Sequence, residues 1–375
     1  MTLLPSYDAI IIGGGLAGAG TAYALAKRSL KVLLCETHPH LAAKASGNAR
    51  GLLMPYVATS SSPPGRLYAK GFHFTRDLIL KEFADRNLYV ECGAIQLPAT
   101  KRLARILTES DIDVGDIPVQ KISATEGSEI SGITIPSPSF FIPNAGYCRP
   151  AQITQTLASF FANTTTISLS TSATALTWSN NIWGVTLNSG EHVQAPIAIL
   201  CGAHEISNFP LTKWIPLEAI RGQTAQTVAT SSSIKLRSVV SYDGYITPEY
   251  DGVHFVGAHY RHNDMNETPC NNDTGEILAR LHRTLPDIAG MSVASCRVCF
   301  RASTHDRMPY IGELPLSEGS KLFINAGHGS RGLLTAPLGG EIIARAVVGE
   351  PIGELHDAAT IASASRLTKR FECCR

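Results

Sequence analysis

The sequence predicts an α/β fold in which a Rossmann-like nucleotide-binding domain is interleaved with a smaller mixed α+β domain. The first observation is a glycine-rich segment at 13–18, which lies between a short apolar strand and an alanine-rich helix. The second is that residues 237–260 are typical of paired strands around a turn. The third is that the end of the chain returns to a strand followed by a helix. We therefore expect the first and last segments to share one sheet.

The individual elements follow from their apolar patterns. YDAIII (7–12) is a short apolar run fit for a strand buried on both faces, and KVLLCE (31–36) is the next strand. The helix between them ends near Arg28. A long amphipathic helix is predicted from Gly65 to Asn87, and a last helix from about Leu333 to Val348. The chain thus opens on a βαβ unit and closes on a strand and a helix of the same character.

The domain boundaries are placed where the predicted elements change from α/β to mixed strands and helices, because there is no low-complexity linker. Residues 1–88, 143–215 and 318–375 are assigned to the nucleotide-binding domain. Residues 89–142 and 216–317 are assigned to the smaller domain, which would hold the substrate. We expect both domains to be discontinuous in sequence.

Composition excludes several classes of protein. With 375 residues, 44% hydrophobic and 17% charged, the chain suits a globular protein with two domains. The net charge of +1 means that any nucleic-acid contact must come from a local patch. Of nine cysteines, only Cys296 and Cys299 have a metal-like spacing, and in a strand they would point to opposite faces. No basic leader or membrane-length apolar run is present, so we expect a cytoplasmic protein without metal or membrane segment.

The glycine-rich segment has the spacing of a dinucleotide-binding turn. Gly13 would permit the tight turn, Gly15 would let the backbone approach a pyrophosphate, and Gly18 would allow close packing of helix on strand. Glu36 ends the next strand about twenty residues later, where a carboxylate can accept hydrogen bonds from a ribose. The alternative for Glu36 is a solvated strand end.

Two further segments favour FAD over NAD as the cofactor. Ala45-Ser46-Gly47-Asn48 follows the second strand, where a small polar turn could contact the middle of a long cofactor. His328-Gly329-Ser330-Arg331-Gly332 precedes the last helix, whose N-terminus would stabilise negative charge on a reduced flavin ring. The alternative for this second segment is an ordinary helix N-terminus. Only one dinucleotide motif is present, so no second nicotinamide domain is predicted.

The segment CFRASTHDRMPYIG (299–312) contains a candidate anion-binding residue. Arg301 lies among small or apolar residues, which predicts a half-buried strand. A charge without a partner is rarely buried, because desolvation is costly. A guanidinium that faces a cavity could await an anionic ligand. The alternative is an internal ion pair, for example with Asp306 or Asp243.

Six segments together resemble the D-amino-acid-oxidase family of flavoproteins. In chain order they are GGGLAG, ASGNARGLLMPYV, RGQTAQ, YDGYITP, FRASTHDRMPYIG and AGHGSRGLLTAPLGGEI. Similarity to the glycine oxidases within that family implies that Tyr245 and Arg301 hold a substrate carboxylate. The second, fourth and sixth segments more closely resemble the FAD-dependent half of the bifunctional tRNA 5-methylaminomethyl-2-thiouridine biosynthesis proteins.

This resemblance implies a function in tRNA. The family oxidises the carboxymethylaminomethyl group on the wobble uridine to an aminomethyl group, with glyoxylate as the other product. Because the chain begins a few residues before the flavin motif, the resemblance predicts a stand-alone oxidase without the methyltransferase half. The alternatives are an oxidase of free glycine or sarcosine-type amino acids, and a flavin-containing tRNA-binding protein without turnover.

Three features remain open at this point. Arg221 could face the substrate pocket or be structural. Cys299 is similar in position to the cysteine that joins the flavin in the sarcosine-oxidase branch. A tRNA substrate requires a basic surface, and seven Lys and Arg residues between 44 and 86, with Arg366, Lys369, Arg370 and Arg375, could supply it; the alternative is a solvated helix face.

Overall fold

The computed structural model describes residues 7–58, 61–109, 118–316 and 319–368. The helices in these ranges are α1 (Leu16–Ala26), α2 (Pro63–Glu82), α3 (Lys101–Thr108), α4 (Ala124–Ser131), α5 (Pro150–Ser159), α6 (Asn271–Thr284), α7 (Gly332–Val348) and α8 (His356–Ala362). The first ten strands are β1 (Ala9–Ile12), β2 (Val32–Cys35), β3 (Gly51–Leu53), β4 (Tyr89–Val90), β5 (Ala94–Gln96), β6 (Gln120–Ile122), β7 (Ser139–Ile142), β8 (Gly146–Cys148), β9 (Thr165–Ser168) and β10 (Ala173–Ser179). The others are β11 (Ile182–Leu187), β12 (His192–Ala195), β13 (Ile197–Leu200), β14 (Glu218–Val228), β15 (Val239–Tyr242), β16 (Gly244–Ile246), β17 (Val253–Arg261), β18 (Val293–Ser303), β19 (Tyr310–Glu313) and β20 (Leu322–Ala326).

A six-stranded sheet contains both the first and the last strand of the described residues, as the sequence predicts. Its order is β19-β20-β13-β1-β2-β9, and its strands are parallel except for β19 at one edge. All residues of β1, β2, β13 and β20 are buried, which explains their continuous apolar sequences. Helices α5 and α7 pack against α1. The α/β half of the predicted fold is therefore confirmed.

An eight-stranded sheet forms the mixed part of the molecule. Its order is β18-β14-β17-β16-β15-β5-β7-β6, and the strands are antiparallel except for the β15–β5 pair. Strands β14 and β18 have eleven residues each and pair along almost their full length. Helix α6 packs against β14, β16 and β17. Strand β18 of this sheet contains Arg301, the candidate anion-binding residue.

Two smaller sheets complete the described part. One is β10-β11-β12, and the other is β3-β8-β4. No helix in the described ranges is long and apolar enough to cross a bilayer.

The predicted domain boundaries differ from the sheets at two strands. Tyr89–Val90, which the prediction gives to the smaller domain, forms β4 and pairs with β8 of the predicted nucleotide-binding domain. Tyr310–Glu313, which the prediction gives to the smaller domain, forms β19 and pairs with β20 of the six-stranded sheet. The chain leaves β18 through a turn in which Arg307 has a φ of 62°, and it reaches the other sheet within seven residues of Ser303. We propose that the boundary lies before Tyr310, and the remaining boundaries stay predictions.

Candidate active site

The glycine-rich turn connects β1 to α1. Gly13 has a φ of +113°, which favours glycine, and a Cβ there would lie 2.7 Å from the backbone carbon of Cys201. A Cβ at Gly18 would overlap the carbonyl oxygen of Gly13, so this position requires glycine for helix–strand packing. Helix α1 has Gly15 as its N-cap, without a side-chain cap and without an acidic residue in its first turn. The positive end of α1 is therefore suited to a phosphate.

Glu36 braces this turn. Its Oε2 accepts a hydrogen bond from the Gly14 backbone N–H at 2.8 Å, and its Oε1 accepts one from the His38 N–H at 2.8 Å. The side chain is only 7% exposed, so Glu36 is not a solvated strand end. Each carboxylate oxygen keeps a second lone pair for a hydroxyl group of a ligand.

Ala45–Gly47 form a 3-10 turn beside the N-terminus of α1, and Asn48 directly follows it. The Ser46 Oγ accepts a hydrogen bond from the Leu16 N–H at 2.9 Å. The Asn48 Oδ1 is buried without a hydrogen-bond partner among the described residues. Gly47 has a structural reason to be glycine, because a Cβ there would collide with the Ala42 carbonyl oxygen and lie 2.5 Å from the Arg297 Nη2.

The 328–332 segment connects β20 to α7. The Gly329 N–H donates to the Ala302 carbonyl at 2.8 Å, which joins this loop to β18. Helix α7 has Arg331 as its N-cap, again without a side-chain cap or an acidic residue in its first turn. Burial lowers the pKa of His328 to about 4, so the ring is neutral at physiological pH. Its Nδ1 contacts the Thr335 Oγ1 at 2.8 Å, and its Nε2 has no partner among the described residues.

A cavity of about 950 Å³ lies between these loops and the eight-stranded sheet. Of the predicted site residues, it is lined by Gly13, Gly15, Glu36, Ser46, Asn48, Tyr245, Arg301, Gly329, Ser330, Arg331 and Gly332. Gly18 and Gly47 do not line it, because they lie behind the loops that do. The cavity therefore joins the predicted nucleotide-binding turn to the predicted anion-binding strand.

Arg301 projects from β18 into this cavity. Its Cζ lies 4.1 Å from the centroid of the Tyr260 ring, and a Cβ at Gly222 would lie 3.6 Å from the same atom. The guanidinium thus lies between the Tyr260 ring and the backbone of Gly222, which has no side chain. No carboxylate among the described residues forms an ion pair with it. The two acids that the sequence offers as ion-pair partners of Arg301 have other partners. Asp306 pairs with Arg366 at 2.5 Å, and Asp243 pairs with Arg280 at 3.7 Å.

Tyr245 projects from β16 into the same cavity. A Cβ at Gly257 would lie 2.9 Å from the Tyr245 hydroxyl, so the small residue on β17 makes room for the phenol. Burial, and to a lesser degree Tyr260, raises the pKa of Tyr245, and this outweighs the opposing effect of Arg301. The phenol is therefore protonated at neutral pH and can donate a hydrogen bond.

Arg331 is a second cation on the cavity wall. Its Cζ lies 5.0 Å from the Tyr56 ring centroid and 5.9 Å from that of Tyr68. No acid among the described residues pairs with it, and burial lowers its pKa. Its predicted contact with the cofactor stays a prediction.

Arg221 is structural. Its side chain is 1% exposed, and its Nη1 lies 2.5 Å from the Asp273 carboxylate on α6. Its Nε and Nη2 donate to the carbonyls of Asn266 and Thr268, both at 2.7 Å. Arg221 does not line the cavity.

Cys299 is buried and does not line the cavity, although the next three residues do. This geometry argues against a covalent link from Cys299 to a flavin. Of all the described residues, no cluster of three His, Cys, Asp or Glu could hold a metal ion.

The predicted basic run is mostly neutralised. Lys44 pairs with Glu267, Arg66 with Asp357, Arg76 with Glu91 and Asp77, and Lys81 with Asp77. Lys369, Arg370 and Arg375 lie outside the described residues. This part of the surface therefore matches the alternative of a solvated face better than a free basic patch.

Sequence reasoning missed Tyr260 and the role of His328. Tyr260 lies opposite Gly222 in the β14–β17 pair, and strand pairing of this kind is not visible in one sequence. His328 is part of the quoted closing segment, but its unpaired Nε2 depends on burial by other elements.

Comparisons with known proteins show which family the chain resembles. The family model described as FAD dependent oxidoreductase (DAO) matches residues 8–346. The chain is 31% identical over 381 residues to the tRNA 5-methylaminomethyl-2-thiouridine biosynthesis bifunctional protein MnmC of Pseudomonas paraeruginosa, and 30% identical over 380 residues to the protein of that name from Chromobacterium violaceum. Each match covers 92% of this chain and 57% of the relative, so the chain spans little more than half the length of these relatives.

Solved structures show the same fold. Glycine oxidase from Geobacillus kaustophilus matches with a TM-score of 0.80 and 23% identity, covering 97% of this chain and 99% of that one. L-proline dehydrogenase from P. horikoshii matches with a TM-score of 0.81 and 18% identity, covering 98% and 99%. The predicted fold class is thereby confirmed.

The cofactor of this family fits the residues of the cavity. The N-termini of α1 and α7, which have no acidic residue in their first turns, would face anionic parts of FAD, and the unpartnered Asn48 Oδ1 can accept a hydrogen bond from it. Gly13 permits close approach of the backbone. The chain therefore belongs to the DAO family of FAD-dependent oxidoreductases.

Proposed function

We propose that this protein oxidatively removes the carboxymethyl group from 5-carboxymethylaminomethyl-(2-thio)uridine at the wobble position of tRNA. The products would be the aminomethyl form of the nucleoside and glyoxylate. The single observation that carries the proposal is the Arg301 guanidinium, which lines the cavity with no carboxylate partner among the described residues. The similarity to the bifunctional tRNA-modifying proteins supports the choice of substrate.

The substrate group suits this arginine. A carboxymethylaminomethyl group ends in N–CH₂–COO⁻, which is a glycine attached to a base. A planar guanidinium can bind such a carboxylate through two parallel hydrogen bonds and so fix its plane. Tyr245, protonated at neutral pH, can donate one further hydrogen bond to it. These two contacts would orient the CH₂ group.

Chemistry and binding are divided between cofactor and protein. When bound, FAD supplies the acceptor for the hydride that leaves the CH₂ carbon. The residues of this chain would bind the carboxylate, hold the CH₂ group in place and exclude water until oxidation is complete. One water then adds to the oxidised C=N bond of the substrate, the C–N bond breaks, and glyoxylate leaves.

The protonation state of the substrate also matters, because an amine must be neutral to lose hydride. A site with poor hydration and nearby cations disfavours the ammonium form. Arg301 and Arg331, both cations, line the cavity. These residues favour a neutral substrate amine.

Oxidation of free glycine or sarcosine-type amino acids is the second candidate. It is favoured by the match to glycine oxidase over 97% of the chain, and it would use Arg301 and Tyr245 in the same way. The two reactions differ in the group that the substrate amine carries. In tRNA this group is a nucleoside, whereas in a free amino acid it is hydrogen or a small substituent. A flavin-containing tRNA-binding protein without turnover would need neither an accessible cavity nor an unpaired Arg301.

Product analysis tests the proposal. tRNA from cells that lack this activity would be incubated with the purified protein, and its nucleosides would be analysed by mass spectrometry. We expect loss of the carboxymethylaminomethyl nucleoside, gain of the aminomethyl nucleoside and an equal amount of glyoxylate. Unchanged tRNA, together with glyoxylate formation from free glycine, would favour the second candidate. Because tRNA is the proposed substrate, we also propose a cytoplasmic location.

A further inference from the structure

Arg50 and Arg149 form a pair of cations that do not line the cavity, unlike Arg301 and Arg331. Arg50 is 7% exposed, and its Cζ lies 4.1 Å from the Tyr250 ring centroid. The Arg149 Cζ lies 4.8 Å from the same centroid, and its Nη2 donates to the Tyr250 hydroxyl at 2.7 Å. Both guanidinium groups therefore contact one tyrosine at the tip of the β16–β17 hairpin.

No acid balances this pair in the described part of the chain. The Nη1 of Arg50 donates to the Ala49 carbonyl at 2.7 Å, and that of Arg149 contacts the Gln152 side chain at 3.3 Å. The Nε atoms of both arginines are buried without a hydrogen-bond partner among the described residues. Burial lowers the pKa of Arg50, and the charge of Arg149 lowers it further. An anion at this position would relieve both effects.

The backbone adds to the positive field. Arg149 is the N-cap of α5, which has Pro150 in its first turn and neither a side-chain cap nor an acidic residue there. The N-terminus of a ten-residue helix is attractive to anions. The Nε of the nine-tenths-buried Arg50, which has no hydrogen-bond partner among the described residues, is an independent indication that a ligand binds at this helix end.

The position relative to the cavity suggests the ligand. Gly51 and Leu52, which follow Arg50, line the cavity, and so does Pro150, which follows Arg149. A group bound to the arginine pair would therefore lie beside a substrate in the cavity. Tyr250 is 38% exposed, so the tyrosine that both guanidinium groups contact lies at the surface, where a base could pack against it.

We propose that Arg50, Arg149 and Tyr250 bind a nucleotide of the RNA next to the modified one, with the arginines on its phosphate and the tyrosine against its base. This inference rests on the proposed RNA substrate. The site would explain how the protein contacts RNA although its basic run is mostly neutralised by acids.

The test compares two substrates, an anticodon stem–loop RNA that carries the modified uridine and the free modified nucleoside. Arg149→Gln should raise the KM for the RNA roughly tenfold, the effect of losing one charge-assisted hydrogen bond. The kcat and the KM for the nucleoside should not change. The salt dependence of RNA binding should become shallower by about one phosphate contact, and Arg149→Lys should restore part of the affinity.

Controls separate this effect from misfolding and from loss of charge in general. Lys235→Gln removes an exposed positive charge from the 3-10 turn before β15 and should leave both KM values unchanged. Flavin content and melting temperature identify a misfolded variant. Arg149 is the first position to substitute, because it is only half-buried and its loss should disturb folding less than that of the buried Arg50. Arg50→Gln is the second variant.

Three outcomes would overturn the inference. One is an equal KM for RNA in Arg149→Gln and the wild type, while the wild type oxidises RNA. Another is an equal rise in KM for RNA and nucleoside, which would make the pair part of the cavity. The third is inhibition of nucleoside oxidation by inorganic phosphate that Arg149→Gln abolishes, which would indicate a free-anion site. If the wild type oxidises neither RNA nor nucleoside, the proposed function fails, and this inference fails with it.

Discussion

Two arginines on neighbouring strands of the eight-stranded sheet have opposite environments. Arg221 on β14 is 1% exposed and pairs with Asp273 at 2.5 Å. Arg301 on β18 lines the cavity, contacts the Tyr260 ring and has no acidic partner among the described residues. One cation is neutralised inside the protein, and we propose that the other binds an anionic ligand. The comparison teaches that an arginine in an apolar strand indicates a site only when the fold brings no acid to it.

The largest effect is expected at the unpaired arginine. Arg301→Ala should lower the kcat/KM for flavin reduction by substrate by about 10³-fold, since a buried charged contact is worth about 4 kcal/mol. FAD content should stay the same, because the proposed role of Arg301 is to bind the substrate and not the cofactor. Arg301→Lys is the matched control, which keeps the charge without the two parallel hydrogen bonds and should recover only part of the rate. Unchanged reduction in the alanine variant would remove the role of Arg301.

The paired arginine should respond in stability instead. Asp273→Asn leaves the Arg221 charge buried without its partner, which should lower the free energy of unfolding by about 3 kcal/mol. Urea unfolding followed by far-UV circular dichroism measures this. Asp264→Asn is the control, because Asp264 is 30% exposed and 3.8 Å from Arg221, and its loss should cost less than about 1 kcal/mol. Equal effects of the two substitutions would contradict the comparison.

The phenol beside Arg301 should matter less than the guanidinium. Tyr245→Phe removes one neutral hydrogen bond, and about 1 kcal/mol corresponds to a rise of roughly fivefold in the KM for substrate. The rate of flavin reduction at saturating substrate should change little. Steady-state kinetics against substrate concentration provides the measurement, and a loss as large as that of Arg301→Ala would mean that Tyr245 does more than bind.

The smallest effect is a pH dependence from the paired arginine. Burial alone would raise the pKa of Asp273, but hydrogen bonds from Arg261 and Arg221 outweigh it and hold that pKa below its usual range. A depressed pKa contributes stability above the ordinary aspartate pKa of about 3.9, and this stability is lost as pH falls through the lower, folded-state value. Unfolding experiments between about pH 5 and pH 2 should show a shallower loss of stability in Asp273→Asn than in the wild type. Parallel curves would contradict this assignment.

Features that depend on local spacing could be predicted from the sequence. Gly13 and Gly15 lie in the turn between β1 and α1, Glu36 directly follows β2, and the closing segment precedes its own helix, so each is visible in the local sequence. Their convergence on one cavity follows from β1 and β20 lying in the same sheet.

Features that depend on distant partners could not be predicted. The Asp273 that neutralises Arg221 lies 52 residues away on α6, and Asp357 that pairs with Arg66 lies 291 residues away. The stacking of Arg301 on Tyr260 depends on which strands pair and in what register. A count of charges along the chain therefore overestimates the basic surface. It also cannot tell which arginines are paired with an acid and which are not.

Anaerobic flavin reduction tests the central claim most directly, namely that Arg301 awaits the carboxylate of a glycyl group on tRNA. The FAD absorbance near 450 nm would be followed after mixing the protein with carboxymethylaminomethyl-modified tRNA or with glycine. We predict fast bleaching by the tRNA, little by glycine, and none by the tRNA in Arg301→Ala. Fast bleaching by glycine with no response to the tRNA would contradict the account.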